Sequence, residues 1–100
     1  MNFVVNVHEA FWEDVKDARI YYEFISVNIA DSFDLSLDFA LKKLENNPNA
    51  YFNKSKKYRL IRLQKFPYQI VYTVNQNTIL IWCLHHDKTS KQSWRQRSKE

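Results

Sequence analysis

Apolar positions repeat along this chain with two different periods, in separate regions. From Glu9 to about Val27, Phe11, Val15, Ala18, Tyr22 and Ile25 step by four, three, four and three. That spacing places them on one stripe of a helix. Ser26 to Asn28 breaks the pattern, and Asn28 suits an N-cap. A second stripe follows: Ile29, Phe33, Leu37, Ala40, Leu41 and Leu44. Asn46, Asn47 and Pro48 end it, because proline cannot continue the backbone ladder. So short a link makes the two helices an antiparallel hairpin.

Beyond the hairpin the period falls to two. Residues 58–84 read YRLIRLQKFPYQIVYTVNQNTILIWCL: three β-prone runs, parted by Phe66-Pro67 and by Asn75-Gln76-Asn77. Connections this short join only antiparallel neighbours, which predicts a three-stranded meander. In the first run Tyr58, Leu60, Arg62 and Gln64 oppose Arg59, Ile61, Leu63 and Lys65. In the second, Tyr68, Ile70, Tyr72 and Val74 oppose Gln69, Val71 and Thr73. In the third, Ile79, Ile81, Cys83 and His85 oppose Leu80, Trp82, Leu84 and His86. Asn2 to His8 alternates loosely and is expected to join this sheet as a short first strand. One sheet face takes both helical stripes; the other is a mixed, partly aromatic groove with charged ends. The fold class is therefore α+β, in the order strand, helical hairpin, meander.

The 100 residues form a single domain, able to bury roughly 65% of the surface of the unfolded chain. Tyr51 and Phe52 are expected to anchor the polar loop from Asn49 to Lys57. Trp94 is expected to dock the C-terminal tail on the sheet, and residues from about 96 to fray. Glycine is absent, so asparagines between the periodic segments are expected to take the positive φ angles that turns need. No apolar run reaches membrane-spanning length, and the first residues lack the pattern of a secretory signal. A lone Cys83 fits a reducing cytosol and a buried strand position.

Charge separates the halves. Residues 1–53 carry four Lys/Arg and nine Asp/Glu; residues 54–100 carry eleven and two. The second half suits a polyanion or an acidic partner segment. No glycine-rich phosphate loop exists, and no Cys or His spacing offers a metal site, so no cofactor is implied. One constellation remains: Arg59, Arg62, Gln69, His85, His86, Asp87, Lys88, Trp94 and Arg95. Arginines beside a histidine could hold RNA phosphates, stabilise a pentacoordinate charge and move a proton. The same residues could equally form cross-strand pairs on a solvated rim.

Taken in order, "EAFWEDVKDARIYY", "LKKLENNP", "YRLIRLQKFPYQIVYTV" and "ILIWCLHHDKTSKQSWRQR" resemble the RelE/ParE superfamily of bacterial type II toxins over residues 3–97. The resemblance implies the fold already outlined and a cytoplasmic growth-inhibiting toxin, of the kind tied to plasmid stabilisation. It also implies neutralisation by a cognate antitoxin whose C-terminal segment wraps the toxin. Two activities divide the superfamily. ParE-like members inhibit DNA gyrase by binding; RelE-like members cleave mRNA in the ribosome. "FPYQIVY" and the late Trp-Arg pair resemble the ParE side. Nuclease relatives tend to place arginine where Gln69 stands, and a His-Tyr pair where this chain has His85-His86-Asp87-Lys88. In the binding reading, Lys56, Lys57, Arg59, Arg62, Trp94 and Arg95 face the target or partner. In the nuclease reading, Arg59, Arg62, His85, His86 and Lys88 are catalytic.

Overall fold

A single serine joins the two helices. α1 (Glu9–Ile25) ends and α2 (Val27–Asn46) begins at Ser26, whose backbone N–H donates to the Tyr22 carbonyl at 2.9 Å. Its hydroxyl accepts from Asn28 N–H at 3.1 Å. One residue therefore closes one helix and caps the next, so the N-cap is Ser26 and not Asn28. Because α1 stops two residues short of Val27, Ile25 and Ile29 fall on the outer side of the turn and stay exposed. The rest of each stripe faces inward, with Phe11, Ala18, Tyr22, Ala30, Phe33, Leu37, Ala40 and Leu44 buried.

The computed structural model describes residues 3–53 and 57–87. Besides the helices it contains β1 (Val4–Val7), a 3-10 turn at Pro48–Ala50, β2 (Phe52–Asn53), β3 (Tyr58–Arg62), β4 (Tyr68–Asn75) and β5 (Thr78–His86). They form one sheet in the order β1-β5-β4-β3-β2. The meander β3-β4-β5 is antiparallel, as its short connections require. β1 does join the sheet, running parallel to β5 with Val4 opposite Thr78 and Val7 opposite Ile81. The short β2 pairs with β3 and has no counterpart in the hydrophobic pattern. The expected docking of Trp94 and the fraying beyond residue 96 fall outside the described residues.

The third strand departs from simple alternation. Val71 faces Cys83 and Tyr72 faces Ile81, so Trp82 is an extra residue in β5. Such a bulge reverses the inward parity of everything after it. Ile79 and Ile81 face the helices as expected, but then Leu84 does so instead of Cys83. Cys83 is buried on the opposite face with Tyr58 and Val71, beside Leu60 and Trp82. β3 is also shorter than its apolar run. It stops at Arg62, and Leu63 to Pro67 turn so that Phe66 meets Tyr22 and Phe33 at 5.0 and 5.4 Å between ring centroids. Among the described residues the positive φ angles fall on Lys65 (71°) and Gln76 (57°), not on asparagine.

Tyr72 ties the core to the segment after α2. It is fully buried, and its hydroxyl donates to the Pro48 carbonyl at 2.6 Å. Burial pushes its pKa up to about 12; nearby Arg59 opposes this and Tyr51 adds to it. The neutral phenol is therefore the folded form. Its contribution is fully present below the ordinary value of 10.0 and disappears as pH rises through about 12. Tyr72→Phe should lower stability by about 1–3 kcal/mol, because the buried Pro48 carbonyl loses its donor. Urea unfolding should show a lower midpoint with an unchanged slope, and the alkaline loss of stability should become shallower.

Candidate functional site

The cationic cluster sits at one end of the sheet face that the helices leave open. Register brings three of its members abreast: Arg62 of β3 pairs with Gln69 of β4, and Gln69 with His85 of β5. His85 reaches this face only because the Trp82 bulge shifts parity. Asp87, one residue past β5, closes the cluster. Its backbone N–H donates to the Pro67 carbonyl at 2.9 Å, which fixes the carboxylate over the β3–β4 turn. Arg62 then donates to both carboxylate oxygens, at 3.3 and 2.6 Å, and the Gln69 side chain donates at 3.0 Å. This fork-on-fork pairing is the strong form of an arginine–carboxylate contact.

Burial works to raise the Asp87 pKa. The hydrogen bonds from Arg62 and Gln69 and the charges of Arg62 and His86 outweigh it and hold the group below the usual 3.8. Asp87 is the lone acidic residue between Lys54 and Lys99, and it lies on the arginine best placed to meet an anion. Arg62 itself remains exposed.

Other members of the set part company. Arg59 lies on the opposite face from Arg62, and its guanidinium donates to the carbonyls of Asn49 and Tyr51 at 3.1 and 3.0 Å. It pins the segment before β2 to β3. His86 turns to the helix side, where its ring meets Tyr68 edge-on at 4.9 Å. Lys57 is exposed, 5.4 Å from the Tyr58 ring centroid. Lys56, Lys88, Trp94 and Arg95 lie outside the described residues. No helix among the described residues is long and apolar enough to cross a membrane.

Toward its other end the open face carries a groove of about 540 Å³, whose lining includes Lys57, Thr73, Leu80 and Trp82. The Trp82 indole N–H donates to Thr73 Oγ1 at 3.1 Å, holding the ring across the groove floor. The alternation of these runs signals a mixed, partly aromatic groove on this face, but not which residues line it. Nor does it give Asp87 its central position, since the partners lie 18 and 25 residues away.

A family model described as the ParE toxin of the type II toxin-antitoxin system, parDE, matches residues 5–90, spanning β1 to the end of β5. The chain belongs to the ParE toxin family. Toxin ParE2 of Mycobacterium tuberculosis (strain CDC 1551 / Oshkosh) is 29% identical to this ParE-type chain over 83 residues, covering 82% of it and 79% of the relative. Toxin ParE2 of strain ATCC 25618 / H37Rv matches to the same extent. A solved structure described as the chromosomal ParDE TA system from P. aeruginosa shares the fold, with a TM-score of 0.72 and 15% identity, over 84% of this chain and 95% of that one. The ParE-like side of the resemblance is thus the one these similarities support.

Because Asp87 titrates at a lower pH folded than unfolded, its contribution is full above the usual carboxylate range and is lost as pH falls through its lowered value. Asp87→Asn should cost roughly 1 kcal/mol or less at neutral pH, given the exposure of Arg62. Urea midpoints measured from about pH 5 downward should fall less steeply in the variant than in the parent.

Proposed function

We propose that this ParE-type toxin arrests growth in the cytoplasm by binding DNA gyrase, not by cutting RNA, and that a cognate antitoxin neutralises it. One observation carries the choice of a binding mechanism: Asp87 closes on Arg62 through both carboxylate oxygens, with Gln69 alongside. A nuclease centre here would need Arg62 open to a scissile phosphate and to the negative charge that builds on it. An ionised carboxylate on that guanidinium cancels its charge and repels the phosphate. Arg59, engaged with two backbone carbonyls on the other face, does not replace it. The choice of gyrase rests on what the resemblance to ParE-like members implies, the family model that matches being the ParE one.

A RelE-like, ribosome-dependent mRNA endonuclease is the second reading. It draws on the register that sets His85 beside Gln69 and Arg62. In it, His85, His86 and Lys88 would share the proton and charge work with the arginines.

The antitoxin is expected to present an acidic segment, since the second half of the chain is strongly cationic. The groove floored by Trp82, with Lys57 at its side, offers such a segment an apolar seat and a positive charge. Lys56, Lys57, Arg62, Trp94 and Arg95 remain the residues proposed to meet target or partner, while Arg59 is committed to the Asn49 and Tyr51 carbonyls.

The purified toxin should inhibit gyrase supercoiling and leave ribosome-bound mRNA intact when both assays are run in parallel. Cleavage of that mRNA, abolished by Arg62→Ala, would establish the nuclease reading instead. Induced expression should stop growth, and co-expression of the adjacent antitoxin gene should restore it.

A further inference from the structure

The donors that hold Asp87 belong to the sheet, and the carboxylate they hold does not. Arg62 of β3 and Gln69 of β4 are register partners on two hydrogen-bonded strands, and His85 of β5 stands opposite Gln69 in the next pair. Three N–H donors from Arg62 and Gln69 converge on the two oxygens of one carboxylate, at 2.6, 3.0 and 3.3 Å. A planar fork met by two oxygens is the shape in which a guanidinium recognises a carboxylate of any origin. Asp87 enters this cradle from one residue beyond β5, with its own N–H on the Pro67 carbonyl.

The geometry is specific, but the pair stands open to water. The Arg62 side chain is 60% exposed and that of Asp87 25%. An ion pair so exposed adds little to stability, so exchanging its anion costs little. The cationic half offers no other acid nearby in sequence: between residues 54 and 100 only Asp87 and Glu100 are acidic. An acidic segment drawn to that half therefore meets one carboxylate already seated where its own would bind.

We propose that Arg62 and Gln69 form a carboxylate-exchange site, at which an Asp or Glu side chain of an acidic protein segment takes the place of Asp87. The proposal rests on the reading that the chain binds such a segment, and it names where one of that segment's carboxylates lands. The site holds a single anion at a time. Asp87 turns into the solvent that already reaches it, while its backbone stays bonded to Pro67. An internal carboxylate competes at high effective concentration, so an isolated small anion loses to it. A segment held nearby by its other contacts does not. The occupant present is itself a carboxylate, which favours a protein acid over a nucleic-acid phosphate as the incoming group.

Fluorescein-labelled oligoglutamate, titrated onto the full chain at low salt and followed by fluorescence anisotropy, tests this. Asp87→Asn keeps the shape of the side chain and removes the competing charge, so it should tighten binding by about fivefold or more. Arg62→Ala should abolish that gain: with and without Asp87→Asn, it should bind the peptide equally to within about twofold. Asp17→Asn removes an acid from an exposed position on α1 and should change the affinity by less than about twofold. In the parent chain the Gln69 side-chain amide and the Arg62 Nε–H signals should shift along the same titration. An equal gain from Asp17→Asn, a gain that survives the loss of Arg62, or no gain at all would overturn the proposal. So would tighter binding of Asp87→Asn to an oligothymidylate of the same length than to the peptide, which would make the ligand a phosphate. No gyrase is present in these titrations, so failure here and failure of the gyrase reading are read separately.

Discussion

One surplus residue in β5 decides what this molecule presents to its surroundings. With Trp82 inserted, Ile79, Ile81 and Leu84 all point into the core, and His85 arrives beside Gln69 and Arg62. Without it, either Leu84 would leave the core or the strand would lose its pairing with β4. The bulge therefore serves packing and site at once: it completes the surface under α1 and aligns the polar end of the open face. The indole of the surplus residue then becomes the floor of the groove, held by Thr73.

The two layers depend on that same surface. Each helix offers one buried stripe, which packs partly on the other helix and partly on the sheet. Phe11 and Phe33 are fully buried within the cluster that holds Ile70, Tyr72, Ile79 and Ile81. Tyr22, Phe33, Phe66 and Tyr68 pack edge-on or tilted at the hairpin link, which suits the charge distribution of aromatic faces. Among the described residues, holding the helices to one side leaves the other sheet face free of them.

Much of this architecture was legible in the residue pattern, for a physical reason. Helical and extended periods differ clearly, and connections of two to five residues leave few topologies. The parity of β5 was not legible, because ILIWCL is apolar on both faces. Shifting it by one residue creates no polar mismatch to betray the slip. The cap falls on Ser26 and not on Asn28 because one residue serves two helices, whereas a hydrophobic pattern assumes that each end has its own. Gln76 and Lys65 took the positive φ angles because strand register fixed where each turn must bend, regardless of which nearby residue bends most easily. At the site, alternation already separated Arg59 from Arg62. What each arginine binds depended on Asp87 and on carbonyls far away in sequence.

β1 stops at Val7, while β5 runs on to His86. On that uncovered stretch the Leu84 amide donates to a carboxylate oxygen of Asp14 from α1, at 3.1 Å. A strand arriving from another molecule would have to evict a charged group from its hydrogen bond before it could add to this edge. Asp14 thus occupies a donor on this stretch of β5 that an added strand would otherwise use.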